Sequence, residues 1–108
     1  MATLLQMTKT ALQLMTDDAA IENQLNMLIL SGIADLANTA GVNTGGLTSP
    51  GVDIGNSTPF QDVLTAWAVI TYVRCHFGQP DEYDNLKRSY DEQKAMLRTA
   101  FPNGGTNG

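Results

Sequence analysis

The residues with most chemical potential are Cys75 and His76, the only thiol and the only imidazole among 108 residues. A nucleophile and its base must meet within hydrogen-bond reach. Adjacent residues on a helix point about 100° apart, so this pair diverges. Cys75 reads as a small core residue and His76 as an exposed or helix-end side chain. One thiol and one imidazole without acidic neighbours make no metal site, and a single cysteine forms no internal disulfide. The acid pairs Asp17 and Asp18, Asp81 and Glu82, and Asp91 and Glu92 stand where capping or solvation accounts for them. Arg74 shares a face with Trp67 and Ile70 near a helix end, either reaching a carboxylate or packing its stem with its head in water. The glycine-rich text from Gly41 to Thr58 contains neither phosphate-binding glycine pattern and no lysine. No catalytic, cofactor-binding or metal-binding residue is assigned, and the chain reads as a non-enzyme.

Composition narrows the class further. Length allows one small domain with a sizeable core. Charged residues are 16% and hydrophobic residues 43%, which opposes disorder and leaves a surface short of charge. The net charge of −5 opposes tight, static binding to nucleic acid, where cations must displace counterions. The longest apolar run, Ala66 to Val73, is far short of the roughly 20 residues of a membrane helix. No charged leader precedes an apolar core at the N-terminus, so no secretion signal is expected. The expectation is a soluble, intracellular, acidic domain with no membrane contact.

Four segments carry helical periodicity, predicting an all-α bundle of about four helices. The first runs from about Thr3 to Met15, with Leu4, Leu5, Thr8, Ala11, Leu12 and Met15 on one stripe. Asp17 and Asp18 then supply capping oxygens for a second helix from about Asp18 to Ala40. Its inward arc is Ile21, Leu25, Leu28, Ile29, Gly32, Ile33 and Leu36, which leaves Met27 and Leu30 outside. A long glycine-rich loop follows to Thr58, with a short strand pair expected around Leu47 and Val52 to Ile54. Thr58, Pro59 and Gln61 form a capping-box pattern opening a third helix, which ends near Phe77 before Gly78 and Pro80. That helix is apolar almost all round, with Phe60, Val63, Leu64, Trp67 and Ile70 on one side and Val69, Tyr72 and Val73 on the other. Such a helix normally lies at the centre of a fold. Asp81 can cap a fourth helix to about Ala100, with Tyr83, Leu86, Tyr90 and Leu97 on its core face. The domain is expected to span residues 1–101, with a flexible glycine and asparagine tail over 102–108.

Charge is unevenly spread. The first 78 residues hold six acids and two bases, whereas four of the six bases, Lys87, Arg88, Lys94 and Arg98, lie within twelve residues. Asp84 with Lys87 and Arg88, and Asp91 with Lys94, are spaced to pair along an exposed helical face. The basic cluster reads as such a face, or as a contact for an acidic partner surface or passing DNA.

The pattern as a whole resembles the head-tail connector proteins of long-tailed phages, also called adaptor or head-completion proteins. The matching text is the first helix with Leu12, then Asp17 and Asp18, then Ile21, Leu25, Ile29 and Ile33 closing at Gly41. It continues with Ala66, Ile70, Tyr72 and Arg74, the Gly78 to Asp81 turn, and Leu86, Ser89, Tyr90, Asp91, Lys94 and Leu97. The resemblance covers about residues 4–100. It implies a homo-oligomeric ring, commonly of twelve, that extends the portal channel of a capsid, seats a downstream neck, stopper or tail protein, and has no cofactor. It also implies a place in the virion neck, with assembly in the host cytoplasm. A ring needs two complementary patches, and Met27 and Leu30 with Val69 and Val73 on the outer side of the third helix can supply one of them. By the same resemblance the segment from Arg98 through the tail reaches toward the portal, and Lys94, Arg98 and Phe101 are the candidate contacts for the portal or another partner. The loop residues Gly45, Gly46, Leu47, Val52 and Ile54 are candidates for the channel wall or a neighbour. An acidic lumen would let DNA pass as cargo. The alternative is a small acidic effector that inhibits a basic nucleic-acid-binding protein, but its acids should cluster on one face and these are spread and mixed with bases.

Overall fold

The computed structural model describes residues 2–15, 18–55, 57–78 and 81–102. Asp17 and Pro80, together with the expected tail beyond Pro102, lie outside them. Strand β1 (Ala2–Thr3) leads directly into helix α1 (Leu4–Ala11). Thr3 makes the junction: its hydroxyl accepts from the Gln6 N–H at 3.1 Å, and the Gln6 side chain accepts from the Thr3 N–H at 2.9 Å. This reciprocal capping box satisfies two donors that an uncapped helix would leave free. The helix stops earlier than its periodicity predicts, because Gln13 adopts φ 58°, outside helical space. Met15 therefore lies beyond the helix, fully exposed.

Helix α2 (Ala19–Ala34) starts as expected, with Asp18 Oδ1 accepting from Ala20 at 2.8 Å and Ile21 at 3.4 Å. A Lys9–Glu22 ion pair of 2.8 Å ties it to α1. The predicted single helix to Ala40 is interrupted by a π-helical turn over Asp35–Thr39, closed by Ala40 N–H donating to Asp35 O at 3.0 Å. A π turn holds one more residue than an α turn, and so changes which side chains face inward. Here it buries Leu36 and Ala40 while leaving Asp35 at the edge of the core.

The glycine-rich loop is packed rather than loose. Its strand β2 (Asp53–Ile54) pairs antiparallel with β1, Ala2 opposite Ile54 and Thr3 opposite Asp53, which corrects the expected strand pair within the loop. Leu47 and Ile54 are buried and Val52 is half-buried, so these three serve the chain's own core. Gly45 and Gly46 remain exposed. The Asp62 carboxylate accepts the Gly46 N–H, both oxygens at 3.2 Å, pinning the loop tip to the next helix.

Helix α3 (Phe60–His76) is the central element, packed against α1, α2 and α4. Its start differs from the predicted capping box. The Thr58 hydroxyl accepts from Gly55 N–H at 2.8 Å, and Gln61 Nε2 donates to Asn43 O at 2.7 Å. Both side chains are thus spent holding the loop, and Pro59 occupies the cap without a side-chain bond. Gly78, at φ 69°, turns the chain beyond the helix end, a conformation other residues enter at a cost.

Helix α4 (Tyr83–Ala100) begins two residues after the expected Asp81 cap, and no side chain caps it. Leu86, Tyr90 and Leu97 face the core as predicted, while Tyr83 is 41% exposed. The chain end is stapled to the loop: Asn43 N–H donates to Phe101 O at 2.7 Å and Pro102 bridges Val42. Pro102, placed with the tail by the sequence, is thereby part of the fold. The architecture is an all-α bundle of four helices with one two-residue β ribbon. Among the described residues, no helix is long and apolar enough to cross a membrane.

Candidate interaction surfaces

Helix α2 has apolar residues on more than one face, so burying Leu25, Ile29 and Gly32 leaves others outside. Met27 is 70% exposed and Leu30 47%, as their place outside the inward arc predicts. Leu30 also lines an apolar groove of about 480 Å³ with Thr3, Leu5, Asn26, Pro50 and Gly51. The groove's far wall is the loop, held beside α1 by Leu5 N–H donating to Pro50 O at 2.9 Å and Leu4 N–H to Val52 O at 2.8 Å. On the α2 side the Asn26 side-chain oxygen is buried and has no hydrogen-bond donor.

Helix α3 exposes the opposite side from the one the sequence suggested. Val69 and Val73 are completely buried inside the chain, which removes them as subunit-contact residues. An all-round apolar helix gives no direction by periodicity, and the three packed helices choose its faces. The face they leave out carries Phe60 at 71% and Trp67 at 48% exposure. Their seven-residue spacing is two turns, so both rings stand on one stripe, with half-buried Val63 and Leu64 between them.

A third feature lies between the π turn, α3 and α4. A recess of about 300 Å³ gathers Asp35, Tyr72, Cys75, His76, Tyr83, Lys87, Tyr90 and Lys94. The Tyr90 hydroxyl donates to Asp35 Oδ2 at 2.5 Å. Lys94 stands 3.8 Å from Asp35 and 3.6 Å from Asp91, with its ammonium 4.7 Å from the centre of the Tyr90 ring. Tyr72 packs between His76 and Tyr90, centroids 4.4 and 5.4 Å away. Burial pushes the Tyr90 phenol well above its ordinary range, and the bond to Asp35 adds to the effect. Burial likewise raises the Cys75 thiol. Cys75 points inward and His76 outward, as adjacent helical residues must. Tyr90 and Lys94 both reach Asp35, an arrangement that clamps α4 to the end of α2. No cluster of three His, Cys, Asp or Glu side chains is placed to hold a metal among the described residues.

The charged residues divide by this geometry. Lys94 belongs to the clamp, whereas Arg98 is exposed and Phe101 is half-buried with its carbonyl bonded to the loop. The predicted Asp91–Lys94 pair forms; Lys87 pairs with Asp91 at 3.2 Å, and Arg88 bonds Asn85. Arg74 is exposed and shares a surface recess with Asp81 and Glu82.

Comparison with known families decides the class. The family model for phage connector proteins matches residues 4–103, from the first residue of α1 to just past Pro102. The chain belongs to the phage connector protein family. No curated protein and no solved structure matches it. The match spans all four helices, the pinned loop and the C-terminal staple, so the connector fold includes the segments that periodicity alone left open. As a phage head-tail connector the chain has a structural role, and its exposed apolar faces are the places to seek its contacts.

Proposed function

We propose that this connector is one subunit of a closed ring in the phage neck, commonly of twelve copies, seated between the capsid portal and the tail or next neck protein. The observation that carries this reading is the set of exposed large apolar side chains on two helices, Met27 with Leu30 on α2 and Phe60 with Trp67 on α3. Unlike contact surfaces on one chain support head-to-tail contact, which closes into a ring when its rotation divides a full turn with no rise along the axis. The chain's charge of −5 keeps a multimer's surface acidic, so DNA passes through the channel as cargo and is not held. Arg98 and the chain end are the portal-side candidates. The subunit needs no cofactor and performs no catalysis. Its place is the virion neck, after assembly in the host cytoplasm.

Leu30→Asp tests the reading. The variant should retain the helical circular dichroism of the parent and lose ring formation, seen by sedimentation and negative-stain microscopy in the presence of the portal. Rings of normal size from Leu30→Asp would remove α2 from the interface. Failure of the parent chain to bind the portal or to multimerise would overturn the ring itself.

A further inference from the structure

The chain treats its two kinds of strong base differently. All three lysines form ion pairs within the chain, Lys9 with Glu22, Lys87 with Asp91, and Lys94 with Asp35 and Asp91. None of the three arginines, Arg74, Arg88 and Arg98, forms one with the described residues. Arg88 bonds only the neutral Asn85 side chain, although Asp84 and Glu92 stand one turn away on either side. Arginine is enriched and lysine depleted where proteins meet, because a planar, weakly hydrated fork holds a carboxylate with two bonds. Arg74 stands at a recess of about 290 Å³ that is apolar within, at Leu12, Phe77 and Leu86, and acidic at Asp81 and Glu82. A surface that fits this recess carries an acid for Arg74, a base for Asp81 and Glu82, and an apolar side chain for the interior. The outer stripe of α4 carries all three: Arg88, Glu92 and Met96, four residues apart and exposed. These lie about 200–280° around α4 from Leu86, which lines the recess, so recess and stripe are on opposite sides of the helix and meet only between two copies.

We infer that the Arg88–Glu92–Met96 stripe of one copy lies in the Arg74 recess of the next. Glu92 accepts from the Arg74 guanidinium, Arg88 donates to Asp81 and Glu82, and Met96 covers Leu12 and Phe77. Unlike surfaces on opposite sides of one subunit give the head-to-tail contact that a ring requires. The inference rests on the ring reading and names a charged contact within it.

Charge reversal tests the contact. Arg74→Glu and Glu92→Arg change exposed positions and should keep the parent's circular dichroism. Each should weaken multimer formation by roughly tenfold or more, followed by sedimentation of the intact protein alone and with portal-bearing heads. The double variant carries the pair reversed and should recover most of that loss, a rescue that a merely structural role of either residue would not produce. Arg74→Gln removes the charge without adding an acid beside Asp81 and Glu82, and should fall between the parent and Arg74→Glu. Single variants that multimerise as well as the parent, or a double variant no better than the singles, would overturn this contact and leave the ring standing. A parent chain that never multimerises would overturn both.

Discussion

Tyr90 on α4 donates its phenolic proton to the carboxylate of Asp35, the first residue of the π turn, at 2.5 Å. The two residues are 55 positions apart, and their bond fixes the end of α2 against α4. Lys94 completes the arrangement from one turn along α4, close to both Asp35 and the Tyr90 ring. Asp35 keeps helical backbone, φ −60° and ψ −45°, with its N–H bonded back to Ser31 O, so its carboxylate projects from the end of α2 as the helix itself directs it.

Tyr90→Phe should therefore destabilise the fold by about 1–2 kcal/mol, the range for a hydrogen bond to a carboxylate that water can partly replace. The sign of the pH dependence is fixed by the raised phenol. The folded state holds the Tyr90 proton more tightly than the unfolded chain, so the contribution is complete below pH 10.0, the ordinary tyrosine value, and is lost as pH rises above it. Tyr72 is raised too, by burial first and by the Asp35 charge second. Tyr90→Phe should thus flatten the alkaline fall in stability without abolishing it. Urea melts from pH 8 upward check this, and a parent whose stability is level through the tyrosine range would contradict the clamp.

The loop depends on a glycine at one position. Gly45 has φ 58°, and a Cβ there would run into the Asp62 carboxylate that holds Gly46. Gly45→Ala should cost about 1–3 kcal/mol from left-handed backbone and displacement of Asp62 together. Gly51 has no such constraint, its nearest neighbour for a Cβ being Ser49 Oγ at 3.9 Å. Gly51→Ala should stay within about 0.5 kcal/mol of the parent. Equal midpoints for the two variants in denaturant melts would show that the loop tip is not pinned as described.

Cys75 should be protected while the protein is folded. It is 5% exposed, and burial raises its thiol, so both access and thiolate content are reduced. Maleimide at pH 8 should label the native chain on the order of a hundredfold more slowly than the chain in guanidinium, because labelling waits for opening. Equal rates would mean that α3 does not shield the thiol.

What the sequence made legible follows from where local chemistry decides structure. Asp18 caps α2 because an acid ahead of a helical apolar pattern has one obvious use, and Leu86, Tyr90 and Leu97 keep the period of an amphipathic helix. The start of α1 is legible in the same way, since the apolar stripe begins beside Thr3, which with Gln6 three residues on forms the capping box. The pair Thr58 and Gln61 has that same spacing but serves the loop, because Gly55 and Asn43 come within reach only in the folded chain. The outward expectation for Val69 and Val73 fails because α3 carries no directional signal, and only packing on three sides decides that Trp67 faces out. The π turn and the β1–β2 pairing depend on distant partners, which no local window contains.

The contact of α2 with α3 at Gly32 gives a prediction whose sign depends on a neighbour. Gly32 is buried in α2, and a Cβ there would lie 3.0 Å from Tyr72 Cδ1 and 3.3 Å from Cγ. Alanine in place of a helical glycine gains about 1 kcal/mol of propensity. Overpacking a rigid contact costs about 1–3 kcal/mol, and the Tyr72 ring has little freedom to yield because His76 and Tyr90 hold it from two sides. Gly32→Ala should be neutral to destabilising by up to about 2 kcal/mol in the parent chain. In a Tyr72→Ala background the obstacle is gone, and the same substitution should stabilise by close to its full propensity, about 1 kcal/mol. Urea melts of the four proteins give the coupling directly. The same Gly32→Ala effect in both backgrounds would mean that the two helices do not meet at Tyr72.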